Sequence, residues 1–235
     1  MPASQRPATL LAIECSTSCA SVALFRAGLE PVVETGAGGA AVSSGLLPMI
    51  ERLLERCAVG RSAIDAIAFG AGPGSFMGVR TAAAVAQGLA VVRDLPVQPV
   101  GTLAALAWRA ARRGARQGRY AVVVDARMDE VYHAVHELTD LGWLTLAPPA
   151  VDQPAVALDH WRDAGLDAAT TVVGAPGLLA LEESQRRLDA SIDAVMIGEA
   201  ALDHWIGGAA ALALPVYVRD RFAATLSERA LAKAA

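Results

Sequence analysis

The sequence predicts an α/β protein of two similar lobes, each a mixed sheet flanked by helices. Three observations carry that reading. An apolar run ending in an acid occurs twice, at Leu10 to Glu14 and at Tyr120 to Asp125. Each run is followed by the same order of patterns, two further strands and then alternating helices and strands. And 54% of the 235 residues are hydrophobic against 19% charged, enough for two real cores and far from a disordered composition.

In the first half, Leu10 to Glu14 is a buried strand, and the alternation over Ala20 to Arg26 is a second strand after a Ser/Thr/Cys turn. Ala27-Gly28 turns the chain into a weaker third strand, Leu29 to Thr35. After a Gly/Ala/Ser loop, Gly36 to Ser44, the residues Leu46, Met49, Ile50, Leu53, Leu54 and Cys57 fall at helical spacing. Pro48 belongs in the first turn of a helix, so the start is expected near Ser44. A strand at Ala66 to Gly70, a helix from Gly78 to about Val92, a strand at Val97 to Val100 and a connecting helix at Leu103 to Arg113 complete the lobe.

The second half repeats this order. Strands are expected at Tyr120 to Asp125, Glu130 to Leu138 and Trp143 to Ala147, then a helix around Val156 to Ala164 and a strand at Thr171 to Gly174. A helix at Leu178 to Leu188, a strand near Ala194 to Ile197 and a helix from Glu199 to about Ala211 follow. The lobes are placed at residues 1–105 and 106–235, with the C-terminal end free to pack back on the first. Leu-Asp-His-Trp occurs at both Leu158 and Leu202, in helix patterns where Trp packs and Asp-His faces water; the repeat reads as coincidence.

Bulk properties exclude several classes. A net charge of −4 and a pI near 5.6 argue against a protein that holds nucleic acid alone. The run Arg109, Arg112, Arg113, Arg116 and Arg119 reads as the end of a helix, where cations oppose the macrodipole favourably. Cys15, Cys19 and Cys57 fit no metal spacing and read as reduced thiols of a cytoplasmic protein. The N-terminal apolar run is too short for a signal peptide, and no apolar segment reaches the ~18 residues of a membrane span.

The stretch Ala68 to Ala90, AFGAGPGSFMGVRTAAAVAQGLA, runs from a strand through a glycine-rich turn into a helix, an arrangement that offers amides to an anion. Gly72, Gly74, Ser75 and Gly78 therefore mark either a structural turn or an anion contact. The phosphate-loop signature fails: five residues separate Gly72 from Gly78, and Val79-Arg80-Thr81 follows where Lys-Ser/Thr belongs. The dinucleotide fingerprint and the Gly-x-Ser-x-Gly nucleophile turn fail as well, since Pro73 and Met77 flank Ser75 at two residues. No spacing singles out a base among His133, His136, His160 and His204, so a Ser75 protease is the weakest enzyme reading. Ser75 reads as the cap of the helix that follows.

The stronger enzyme reading is a small ATPase or kinase of the actin and sugar-kinase type that uses Glu14 and Asp125. Against it, Cys-Ser-Thr-Ser follows Glu14 and Ala-Arg-Met-Asp follows Asp125, with no glycine where phosphate needs backbone access. Arg127 and Asp129 are placed to pair locally. No His, Asp or Glu set stands at ligand spacing, so no catalytic metal is expected.

The helix beyond the turn is short of polar residues. Arg80, Ala84, Gln87 and Val91 share a face, and Ala84 and Gly88 permit close approach of another helix. The first helix adds Leu47, Ile50 and Leu54. These eight residues are the expected partner interface, with burial of both helices inside a two-lobe fold as the alternative.

Four segments, LLAIECSTSCASVAL, the glycine-rich stretch, DARMDEVYHA and LPVYVRD, resemble the TsaB family, older name YeaZ, over about Leu10 to Asp220. The resemblance implies an actin-like duplicated fold and a non-catalytic subunit that helps make N6-threonylcarbamoyladenosine beside the tRNA anticodon. It implies pairing with the paralogue TsaD, which carries the metal and the transfer chemistry, recruitment of the ATPase TsaE, and a homodimer when the partner is absent. No cofactor of its own is implied, and nucleotide only at a shared subunit interface. Two departures stand out: Val42 replaces a histidine common in the family at the start of the first helix, and Met77 replaces the usual Thr.

Overall fold

The computed structural model describes residues 6–114, 117–140, 142–204, 206–210 and 213–218. The first half comprises β1 (Thr9–Glu14), β2 (Cys19–Arg26), β3 (Val32–Ala37), α1 (Val42–Arg56), β4 (Ala66–Gly72), α2 (Phe76–Val91), β5 (Val97–Gly101) and α3 (Thr102–Gly114). The second comprises β6 (Gly118–Arg127), β7 (Glu130–Thr139), β8 (Gly142–Asp152), α4 (Pro154–Asp163), β9 (Thr171–Gly174), β10 (Arg186–Asp189) and α5 (Ala194–Asp203). The sheets run β3-β2-β1-β4-β5 and β10-β9-β6-β7-β8. Counted outward from its own first strand, the second sheet has the order of the first, so the duplication expected from the two acid-ended runs is present in the topology.

Strand alternation sorts the side chains into layers. Leu11 and Ile13 of β1 pack with α1 and α2 on the outer face of the first sheet. Leu10 and Ala12 face inward, in a central layer shared with α3, α5 and the inner face of β6 and β7. Ala121 and Val123 join Trp161 of α4 on the outer face of the second sheet. Both faces of β1 and β4 are therefore covered, which is why these strands read as unbroken apolar runs. The middle layer is exchanged between halves: α3 packs on β6 and β7, and α5 packs on β1, β2 and β4.

The structure departs from the sequence reading in five places. The helix expected at Leu178 to Leu188 is a 3₁₀ turn, Pro176–Leu178, followed by strand β10. All four β10 side chains are exposed, so an edge strand without an apolar face left no alternation to read. The run at Ala194 to Ile197 is the first turn of α5, where Asp193 caps by accepting from the Met196 amide at 2.8 Å; a four-residue apolar run does not separate buried strand from buried helix. Helix α1 begins at Val42, so Pro48 is an interior residue, its ring on the exposed side. Strand β8 continues through Pro148 and Pro149 to Asp152, which its position at the sheet edge and the register shifts opposite His133 and Val135 allow. Helix α5, expected to run on to about Ala211, stops at Asp203 with His204 as its C-cap, and Gly208 already bridges Val97; Ala211, Trp205, Arg116, Arg219 and Asp220 lie outside the described residues.

Candidate functional site

The glycines of the β4–α2 turn are required by backbone approach. A Cβ at Gly78 would strike the Cys15 carbonyl oxygen and one at Gly74 would sit 2.6 Å from that of Ser16, while one at Gly70, within β4, would strike the Glu14 carboxylate. Gly72 has φ +95°, a conformation side chains rarely adopt. The turn is seated on the β1–β2 connection, with the Ser75 amide donating to the Ser16 carbonyl at 2.7 Å. Ser75 Oγ accepts from the Gly78 amide at 3.3 Å, capping α2. Met77, half exposed, follows in the first turn, and Val42 is buried at the start of α1.

The two strand-ending acids do the same job in each half. Glu14 Oε1 accepts the amide of Ser16, and Asp125 Oδ1 accepts the amide of Arg127 at 2.7 Å, each closing a turn two residues on. Glu14 is fully buried, Oε2 has no hydrogen-bond partner among the described residues, and desolvation raises its carboxyl pKa. Asp125 is half exposed and also meets the Arg127 guanidinium at 3.3 Å. Arg127, Met128 and Asp129 all have φ near +60°, three consecutive left-handed residues held by that Asp125 clasp.

Between the lobes lies a cleft of about 850 Å³, lined by the two turns, Phe76 and Asp193. Its cation, Arg127, is bound to Asp125, and Asp193 is paired with Arg109 at 2.7 Å. The lining is thus acidic or self-neutralised where phosphate would need free positive charge.

One cluster escaped the sequence reading because its members come from three elements. His133 of β7, Asp152 of β8 and His160 of α4 place ligand-type atoms within 4.8 Å of one another. His133 Nε2 and His160 Nδ1 lie 2.9 and 3.2 Å from the same Asp152 oxygen. The indole N–H of buried Trp161 donates to His133 Nδ1 at 3.2 Å. Indole nitrogen is a donor only, so Nδ1 accepts and Nε2 carries the proton that points at Asp152. A metal at Nε2 would have to displace that proton while Nδ1 still held the indole bond, so the donor set fits a structural clasp and not a metal. Burial also lowers the His133 pKa against the opposing pull of Asp152, favouring the neutral ring.

The expected interface residues separate into two groups. On α2, Arg80, Ala84, Gly88 and Val91 are exposed, with Val91 at 72%, Val92 at 82% and Met77 at 49%, and nothing lies within 4 Å of where a Gly88 side chain would begin. Gln87 is partly buried and donates to the Ala213 carbonyl at 3.0 Å. On α1 only Leu47 is exposed. Ile50 and Leu54 are buried in the core beneath α1, at 1% and 3%, because their spacing with Leu46 and Leu53 is the inward stripe of that helix; their side chains are unavailable to a partner. Of the basic run, Arg109, Arg112 and Arg119 are paired with Asp193, Asp203 and Glu137. No helix among the described residues is long and apolar enough to cross a membrane.

Two mixed sheets of repeated order, helices exchanged between them and a cleft lined by the two acid-closed turns define a duplicated two-lobe α/β protein. Comparison with known proteins narrows the class. Residues 40–228 match the family model described as TsaD, tRNA N6-adenosine threonylcarbamoyltransferase. The tRNA threonylcarbamoyladenosine biosynthesis protein TsaB of Escherichia coli is 35% identical over 70% of this chain and 70% of its own length. The protein of that name from Haemophilus influenzae is 44% identical over 53% of this chain, which spans only 52% of that relative's length. Among solved structures, YeaZ from Pseudomonas aeruginosa is similar with a TM-score of 0.71 at 37% identity, covering 89% of this chain and 99% of its own. The chain belongs to the TsaB family.

Proposed function

We propose that this chain takes part in making N6-threonylcarbamoyladenosine in tRNA, as a non-catalytic subunit that docks on TsaD. Its family and its match to the TsaD model support the pathway. The observation that carries the docking role is the exposed face of α2, where Met77, Ala84, Gly88 and Val91 present small and apolar groups to solvent beside Arg80. Such a face packs a second helix at close distance. Leu47 at the start of α1 extends it. The two lobes divide within α3, near residue 105, with the docking helices on the first.

The non-catalytic part of the proposal rests on the acids. Glu14 and Asp125, the carboxylates an actin-like ATPase would use, each accept a backbone amide of their own turn, and Glu14 is sealed beneath Gly70. Ser75 is engaged as a helix cap. In this reading the transfer chemistry and any metal belong to TsaD, nucleotide binds only at a shared interface, TsaE joins the pair, tRNA is met only through the complex, and the subunit self-pairs when TsaD is absent. The complex operates in the cytoplasm.

The test is a charge placed on the exposed face of α2. Ala84→Arg or Gly88→Arg is expected to abolish copurification with TsaD and tRNA modification while circular dichroism and melting temperature stay those of the parent, since neither position is packed. Undiminished copurification would remove α2 as the docking element.

A further inference from the structure

After α5 the chain returns to the first lobe and is fastened there at successive points. Gln98 of β5 donates to the His204 carbonyl at 3.0 Å and accepts from the amides of Ile206 and Gly207 at 2.9 and 3.3 Å. Gly208 bridges Val97. Ala213 is fully buried in the outer core of the first half, and its carbonyl accepts from the side-chain amide of Gln87 of α2. The Val216 amide donates to the Ala71 carbonyl at 2.7 Å, beside the glycine-rich turn. The next residue, Tyr217, accepts a hydrogen bond from Arg80 Nε at 2.8 Å.

Arg80 is held from several sides. Its guanidinium carbon lies 3.6 Å from the centroid of the Phe76 ring and 5.2 Å from that of Tyr217, and the two rings are 6.2 Å apart. Phe76 is the first residue of α2 and lines the interlobe cleft. The planar group is thus stacked on the helix start and hydrogen-bonded to the returning segment, the use for which arginine differs most from lysine. Ala84 and Gly88 follow on the same face, about 6 and 12 Å further along the axis at helical rise.

We infer that Arg80 and Tyr217 are positioning residues: through them the returning C-terminal segment fixes the first turns of α2 and, with them, the orientation of the docking face. Arg80 acts through Tyr217 and Phe76 and does not offer its charge to the partner. The inference rests on the docking reading of α2. It separates the exposed residues of that face into those that touch the partner, Ala84 and Gly88, and those that aim the helix.

A double-mutant cycle on the full chain tests it. Pairing affinity for purified TsaD is measured for Arg80→Ala, Tyr217→Phe and the double variant, with Ala84→Arg as reference and melting temperature recorded for each. Tyr217→Phe removes only a half-exposed hydroxyl and keeps the ring. Each single change is expected to weaken pairing roughly tenfold, as for loss of a hydrogen bond to a charged group. The double variant should be no weaker than Arg80→Ala alone, because that change already removes the hydrogen bond that Tyr217→Phe removes. Arg80→Lys, which keeps the charge without the planar fork, should not restore affinity. Additive losses, about a hundredfold together, would mean that Arg80 touches the partner directly and would overturn the inference, as would wild-type affinity in Tyr217→Phe. If Ala84→Arg also pairs normally, the docking reading itself has failed and the inference falls with it; if only Ala84→Arg abolishes pairing, the inference alone is wrong.

Discussion

At the scale of single residues, Glu14 and Asp125 show how one residue type serves two readings. An acid closing an apolar strand is where an actin-like enzyme would place chemistry, and it is equally where a turn needs an acceptor. The sequence displayed both acids and their equivalence, but not the amides of Ser16 and Arg127 that engage them, because an acceptor's partner depends on the fold of the turn. Burial raises the Glu14 carboxyl, so its ionisation works against the fold. The sign follows: stability is undiminished below the unfolded carboxyl pKa and is lost as pH rises through the higher folded value. Glu14→Gln keeps the acceptor and removes the charge. Its melting temperature relative to the parent should therefore climb as pH rises above the ordinary carboxylate range, and a difference that is flat or falls with pH would show that Glu14 is not paying for burial.

At the scale of elements, legibility followed apolar periodicity. β1, β2, β4, α2 and β6 were readable because each buries a stripe or a whole strand. β10 and the first turn of α5 were not, the first because it buries no side chain, the second because its apolar start is too short to show a period. The face proposed to dock is half legible: α2 has almost no polar side, and Arg80, Ala84, Gly88 and Val91 are exposed, but Gln87 bonds the returning chain, and Ile50 and Leu54 lie on the inward stripe that Leu46 and Leu53 mark. The junction of α2 with the β1–β2 turn gives a sharp prediction. Alanine in place of glycine inside a helix is favoured by about 1 kcal/mol. At Gly78 the new Cβ would strike a backbone carbonyl, which cannot move aside as a side chain can. Gly78→Ala should therefore lower stability in urea unfolding, by about 1–3 kcal/mol, and a gain would contradict the close approach.

At the scale of the whole molecule, the duplication, visible in the two acid-ended runs, set the repeated sheet order. The exchange of α3 and α5 between the sheets was hidden, because which sheet a helix covers is a long-range choice that local pattern does not encode. That exchange, with the returning segment fastened on α2, ties the C-terminal half to the helix proposed to dock. The central claim is that a partner covers α2. Amide hydrogen exchange of the full chain, alone and with TsaD added, tests it most directly. The account predicts slowed exchange over residues 80–91 of α2 and at the start of α1, with α4 unchanged. Protection confined to the interlobe cleft or to α4, with α2 exchanging as in the free chain, would contradict it.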